Sequence, residues 1–180
     1  RCCRSSASGM PASEPLKAPE GGRPNNAAGF RKENGHSMKR VYVDEKWCLG
    51  CHLCEYYCAF ANSGKSSMIK ALKDRKINPR IQIEGDNHIS FAVSCRHCTD
   101  PICVKSCIAG ALSIQAGVVR IDRDKCVGCH TCVLVCPYGA IMPADEGVMQ
   151  KCELCIENAG GKPACVQGCP NKAIIYEERA

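Results

Sequence analysis

Residues 126–140 read CVGCHTCVLVCPYGA, with four cysteines in eleven residues and a proline directly after the last. The same spacing of Cys126, Cys129, Cys132 and Cys136 recurs upstream at Cys48, Cys51, Cys54 and Cys58. The flanking sequence repeats too. VDEKWCLGCHLCEYYC and IDRDKCVGCHTCVLVC share an Asp four residues ahead of the first Cys, and a His (His52, His130) directly after the second. A second pair of motifs alternates with the first. It comprises Cys95, Cys98, Cys103 and Cys107, ending PICVKSC, and Cys152, Cys155, Cys165 and Cys169, ending PACVQGC. Sixteen of the 18 cysteines therefore fall into four groups of four. Their alternating order points to internal duplication.

A chain of 180 residues has room for one or two small domains. One cysteine in ten is a level found in disulfide-stapled secreted scaffolds and in metal proteins. A secreted scaffold needs a leader, and the first 37 residues hold no apolar run of that kind. Nor does any stretch approach the ~18 continuous apolar residues of a spanning helix. The expectation is a reducing cytoplasm, where thiols bind metal rather than pair. Residues 1–37 supply six Lys/Arg against three Asp/Glu, half of the net charge of +6. The remainder is too diffuse for a nucleic-acid surface.

The spacing C-x₂-C-x₂-C-x₃-C followed by Pro is the bacterial ferredoxin run for a [4Fe–4S] cluster. The reason is geometric. A cubane offers four iron corners, and a loop with a thiol at every third residue wraps three of them. The fourth thiol opens the helix that leads away and serves another centre, as it does in two-cluster ferredoxins. Cys126, Cys129 and Cys132 thus share a centre, and Cys136 belongs elsewhere. Zinc is the competing occupant, and the C-x₂-C of Cys152 and Cys155 alone would suit it. Three thiols at two-residue gaps, however, leave one redundant around a tetrahedral ion. Four thiolates on a 2+ core leave about −2 per site, which would reverse the formal positive charge.

The secondary structure expected between motifs is short. RVYV (40–43), HISFAV (88–93) and VVRI (118–121) read as strands entering the motifs. ALSI, AIMP and AIIY read as strands leaving them, and each C-x₃-C segment as the start of a short helix. SSMIKALKD (66–74) reads as a further helix. With 5% aromatic residues the apolar core is thin, so metal centres must organise much of the fold. His52 and His130 are surplus to the thiol count and are expected to pack or donate N–H groups. Trp47, Tyr56 and Tyr57 are expected to shield the first cluster, and Arg96, His97 and Lys105 to lie near the second motif's sulfurs. There is no P-loop, no dinucleotide-binding Gly run after a strand and no H-E-x-x-H. With every thiol assigned to a closed site, the chain reads as an electron carrier and not an enzyme. A zinc-rich scaffold, and an iron–sulfur enzyme or maturation factor with an open iron corner, are the competing classes.

The segments CLGCHLCEYYCAFANSG, CRHCTDPICVKSCIAGAL, CVGCHTCVLVCPYGAI and KCELCIENAGGKPACVQGCPNKAI resemble the cysteine groups of four-cluster ferredoxin-like subunits. Such subunits serve dimethyl sulfoxide reductases, formate dehydrogenases, hydrogenases and carbon monoxide dehydrogenases. The resemblance spans 38–180, and the compact length most resembles the ferredoxin-like partners of carbon monoxide dehydrogenase. It implies an α+β fold of two dicluster units, one nested in the other. The inner unit would cover about 88–142, and the outer 38–87 plus 143–180. It also implies four ligand sets: Cys48, Cys51, Cys54 with Cys169; Cys58 with Cys152, Cys155, Cys165; Cys95, Cys98, Cys103 with Cys136; and Cys107 with Cys126, Cys129, Cys132. The function it implies is electron relay between a catalytic subunit, foremost carbon monoxide dehydrogenase, and a second acceptor such as a flavoprotein or hydrogenase. The alternative is the iron–sulfur subunit of a molybdenum- or tungsten-pterin enzyme such as formate dehydrogenase. Two positions depart from the family pattern, Ile108 and Ala59 standing where Pro commonly follows the last Cys.

Residues 1–37 are rich in Gly, Pro, Ser, Asn and Ala without helical or strand period, and read as a disordered extension before Met38. Deleting them is expected to leave iron content and electron transfer unchanged. Loss of iron on truncation would instead show that Cys2, Cys3 or His36 is a ligand.

Overall fold

A computed structural model describes residues 38–73, 77–86, 88–144 and 147–178. The expected N-terminal extension and Asp74, the end of the expected helix at 66–74, lie outside the described residues. Eight strands pair into four two-stranded antiparallel ribbons among those residues. They are β1 (Arg40–Val43), β2 (Ile81–Gly85), β3 (Ser90–Ser94), β4 (Leu112–Gln115), β5 (Val118–Ile121), β6 (Ile141–Pro143), β7 (Met149–Lys151) and β8 (Ile174–Glu177). Three ribbons join neighbours in sequence: β2–β3, β4–β5 and β6–β7. The fourth pairs β1 with β8, placing Val41 opposite Tyr176 and Val43 opposite Ile174. The first strand of the patterned region is thereby closed on its last.

Local chemistry explains the elements. The β4–β5 hairpin turns on Ala116 and Gly117, both at positive φ (48° and 80°), as a two-residue turn matched to strand twist requires. The helices are α1 (Leu53–Ala61), α2 (Met68–Leu72), α3 (Ile102–Lys105), α4 (Thr131–Val135), α5 (Ile156–Ala159) and α6 (Ala164–Gln167). α1 and α4 start from equivalent loops but differ in length. Pro137 forces the residue before it out of helical conformation, so Cys136 is extended (ψ 114°) and α4 stops at Val135. Ala59 imposes no such break, and α1 continues to Ala61, where Asn62 caps it. The departure from Pro after Cys58 thus lengthens a helix and removes no thiol.

Two clusters of buried side chains hold these elements. One gathers Val41, Ile81, Ala92, Val118, Leu154 and Ile174 around Cys54, Cys58, Cys95, Cys152 and Cys165. The other joins Leu112, Val119, Ile141 and Met149 to Cys132, with Cys103, Cys107, Cys126 and Cys136 packed against it. The α+β character matches expectation, with β2, β7 and α5 added. The thiols are not appended to a finished core; they are a large part of it.

Candidate metal centres

Cys48, Cys51 and Cys54 line one cavity together with Cys169, from the other end of the described chain, and Trp47, Leu49, Ile83 and Ile174 form its walls. Cys126, Cys129 and Cys132 line another with Cys107, walled by Leu112, Ile121, Val127 and Met149. Neither Cys58 nor Cys136, the fourth thiols of these two runs, lines its own loop's cavity. The remaining eight gather by proximity. Burial pushes the Cys165 thiol strongly up, and Cys152, Cys58 and Cys155 beside it add to the effect. Cys103 is pushed to about 11 by burial, then by Cys95 and Cys136. Cys98 is raised by burial, with Cys95 and Cys136 again among its neighbours. Among the described residues no three His, Cys, Asp or Glu side chains close on one ion-sized point. Eight of the thiols stand around these two cavities, an arrangement that suits a core with an iron at each of four corners.

The repeated small residues have a backbone reason. Gly50 and Gly128 take φ of +62° and +66°. A Cβ at Gly128 would lie 2.4 Å from the carbonyl oxygen of Gly147, and one at Gly50 2.7 Å from Ser90 Oγ. His52 and His130 follow at φ 59° and 60°, in the left-handed region that histidine tolerates better than most residues, and start α1 and α4. Both are exposed rather than packed, and His52 Nδ1 lies 3.0 Å from Glu55 Oε2. The repeated acids also have a role. Asp44 accepts from the Lys46 N–H at 3.1 Å and Asp122 from the Asp124 N–H at 3.2 Å, local turns that lead the chain into each loop.

Several sulfurs receive fixed donors. Backbone N–H groups reach Cys58 Sγ from Arg80 (3.2 Å), Cys107 Sγ from Ala111 (3.2 Å), Cys126 Sγ from Met149 (3.4 Å) and Cys152 Sγ from Leu154 (3.5 Å). Such bonds favour a charged sulfur. Burial opposes it, pushing Cys54 and Cys152 up to about 12 and Cys58 to about 11. Without metal these buried thiols hold their protons at neutral pH, and binding must release them. Exposed Cys129 goes the other way, lowered by its side-chain hydrogen bond with Thr131 at 3.4 Å. Glu153 ties the region together, accepting from Arg80 Nη1 at 2.6 Å and from the Ile121 N–H at 3.1 Å.

The side chains expected beside the sulfurs lie partly elsewhere. Trp47 edges the first cavity but remains 61% exposed, Tyr56 is exposed, and Tyr57 lies against Gly168. Arg96 donates to the Val41 carbonyl at 3.3 Å and stands over the Tyr42 ring, while Lys105 pairs with exposed Asp100 at 2.5 Å. His97 does turn inward. It is fully buried, and its Nδ1 accepts the Val119 N–H at 3.1 Å. Burial, then the cations Lys151 and Arg40, push its pKa down to about 3, so the ring stays neutral. Lys151, buried directly before Cys152, was not singled out from the sequence. A lysine closing an apolar strand against a C-x₂-C pair was the available signal.

The sequence profile described as "4Fe-4S dicluster domain" matches residues 87–179, more than half of the chain. The chain belongs to that family. An "Iron-sulfur protein" of Rhodospirillum rubrum is 37% identical over 150 residues, covering 74% of this chain and 79% of that protein. "Electron transport protein HydN" of Escherichia coli K12 is 33% identical over 155 residues, 77% of this chain and 87% of HydN. UacF of the same organism is longer. It is 36% identical over 136 residues, and the chain spans only 21% of its length. Two of these relatives are thus iron–sulfur and electron transport proteins by name, and the third is named "Putative oxidoreductase UacF". The matched segment contains twelve of the grouped cysteines, Cys95 through Cys169, and leaves the Cys48–Cys58 run outside it.

Gly128 and Gly139 separate clash from conformation. Both have positive φ, but an added Cβ at Gly139 meets nothing within 4 Å. Gly139→Ala is expected to cost about 1–2 kcal/mol, the left-handed penalty alone, with iron content unchanged. Gly128→Ala must also displace the Gly147 backbone and is expected to lose iron from its loop. Iron analysis and thermal unfolding of both variants check the contrast; equal retention would show the approach to Gly147 to be immaterial.

Proposed function

We propose that this chain carries four [4Fe–4S] clusters in a row and relays electrons between a catalytic redox subunit and a second acceptor. The residues named at the outset are the proposed ligands, in the four sets Cys48/Cys51/Cys54/Cys169, Cys58/Cys152/Cys155/Cys165, Cys95/Cys98/Cys103/Cys136 and Cys107/Cys126/Cys129/Cys132. The observation that carries the reading is the adjacency of these sets. Cys54 is among the thiols beside Cys165, joining the first set to the second. Cys95 is among those beside Cys152, joining the second to the third. Cys103, Cys107, Cys132 and Cys136 pack in one cluster, joining the third to the fourth. Among the described residues the exposed cysteines, Cys51 and Cys129, belong to the two end sets. A row with open ends suits a wire between two partners.

When bound, each cluster supplies a one-electron store at a potential set by its surroundings. The chain's own part is to hold thiols at the corners, aim N–H groups at sulfur and exclude water. The β1–β8 pairing supports the nested scheme, with 88–142 as the inner unit, 38–87 plus 143–180 as the outer, and 1–37 as an extension. The catalytic partner best suited to the compact length is of the carbon monoxide dehydrogenase type. A flavoprotein or hydrogenase would then be the acceptor, and formate dehydrogenase or another pterin enzyme the alternative partner. No helix among the described residues is long and apolar enough to cross a membrane; we place the relay in the cytoplasm.

Anaerobically purified protein is expected to hold about sixteen iron and sixteen sulfide per chain, and to unfold on chelation because its core is built of ligands. About four zinc without sulfide would contradict the reading. Cys136→Ala is expected to damage the centre at Cys95, Cys98 and Cys103 and to spare its own loop's centre on Cys126, Cys129 and Cys132. Cys107→Ala is expected to give the reciprocal lesion. Spin signals of each variant, assigned by structure, check the wiring; a Cys136→Ala lesion in its own loop would overturn it.

A further inference from the structure

Lys151 is the last residue of β7, and its side chain is wholly buried, at 0% exposure. Its Nζ donates to the Cys152 carbonyl at 2.7 Å and to the Val119 carbonyl on β5. It forms no ion pair with a carboxylate among the described residues. The adjacent acid, Glu153, is committed to Arg80 and the Ile121 N–H. Two carbonyls satisfy two of the three N–H groups of an ammonium but leave its charge uncompensated. Burying a charge without a partner is strongly unfavourable, so a counter-ion is called for.

The surroundings say where it must be. Val119 is held at both of its backbone polar atoms, its N–H by His97 Nδ1 and its C=O by Lys151. His97 lies between Cys95 and Cys98 in the chain, and Cys95 and Cys152 share one buried cluster. Lys151 therefore lies where the Cys58/Cys152/Cys155/Cys165 set meets the Cys95/Cys98/Cys103/Cys136 set.

We propose that Lys151 is the internal countercharge of the two middle thiol sets and raises the reduction potential of the centres they hold. The inference rests on the reading of these thiols as cluster ligands. Each electron arriving from the donor adds one negative charge beside the ammonium and leaves as one electron for the acceptor. No bond forms or breaks and no proton moves. Lys151 acts through charge at short range in a dry interior, where such interactions are little screened.

The test is a potentiometric titration of anaerobically purified holo-protein, followed by electron paramagnetic resonance. Three variants are compared: Lys151→Gln, which keeps donors for the two carbonyls without the charge, Lys151→Met, and Lys151→Arg. With full iron, Lys151→Gln and Lys151→Met are expected to shift one or two of the cluster signals to lower potential and leave the others unmoved. Lys151→Arg is expected to stay near the parent. Lys105→Gln, removing an exposed cation paired with Asp100, is expected to move none. Unmoved signals in both uncharged variants would overturn the proposal, and so would Lys151→Arg behaving as Lys151→Gln. Should the uncharged variants lose iron, Lys151→Arg must retain it, and loss in all three overturns the role of charge. A parent protein without iron and sulfide would refute the cluster reading instead, a distinguishable failure.

Discussion

A buried sulfur can carry a negative charge only if something positive is bound to it, and this constraint runs through the whole chain. Six cysteines are buried among the described residues, and burial raises the thiols at Cys54, Cys58, Cys152 and Cys165 well above their ordinary value. Left with protons, these positions are small apolar fillers in the buried cluster. As thiolates on iron they would cross-link segments distant in the chain, coupling metal binding to folding. Backbone donors at Cys58, Cys107, Cys126 and Cys152 are placed for the same state, since they favour a charged sulfur.

Much of this was legible in the residues. Three thiols at two-residue gaps read as a wrap around one centre, with the fourth expected to open a helix; instead α1 and α4 begin before the third thiol, Cys58 lies late in α1, and Cys136 directly follows α4, where Pro137 ends it. One cavity is lined by the Cys48 loop with Cys169 and another by the Cys126 loop with Cys107. Strands RVYV and VVRI fall where their β-branched residues suggest. What was not legible depends on partners distant in sequence. β7 is only three residues long, and its buried Lys151 contradicts the usual preference of lysine for water. β2 is set by its pairing with β3 and by Glu55, whose Oε1 accepts the Ile83 N–H at 2.6 Å. His52 and His130 are expected from the sequence to pack or donate N–H groups; His52 does reach Glu55, but the positive φ that both adopt at the start of α1 and α4 depends on loop geometry the spacing does not show.

The same features connect structure to electron transport. On the proposed wiring, adjacent thiol sets would hold their centres close together, since Cys165 has Cys54 and Cys152 has Cys95 among its neighbours. Each such pair would bring two negative sites together and make successive reductions harder. The ammonium proposed as countercharge between the middle sets would offset that repulsion. The ends need less help, since Cys51 and Cys129 are exposed and water screens the charge there.

The central claim is that four clusters stand in one row with the fourth thiol of each run serving its neighbour. An anomalous map at the iron edge, from crystals of anaerobically purified protein, tests it most directly. The account predicts four iron groups, with Cys169 beside the group at Cys48 and Cys136 beside the group at Cys95. Fewer groups, single ions at the thiol sets, or Cys136 bound to the group at Cys126 would contradict it.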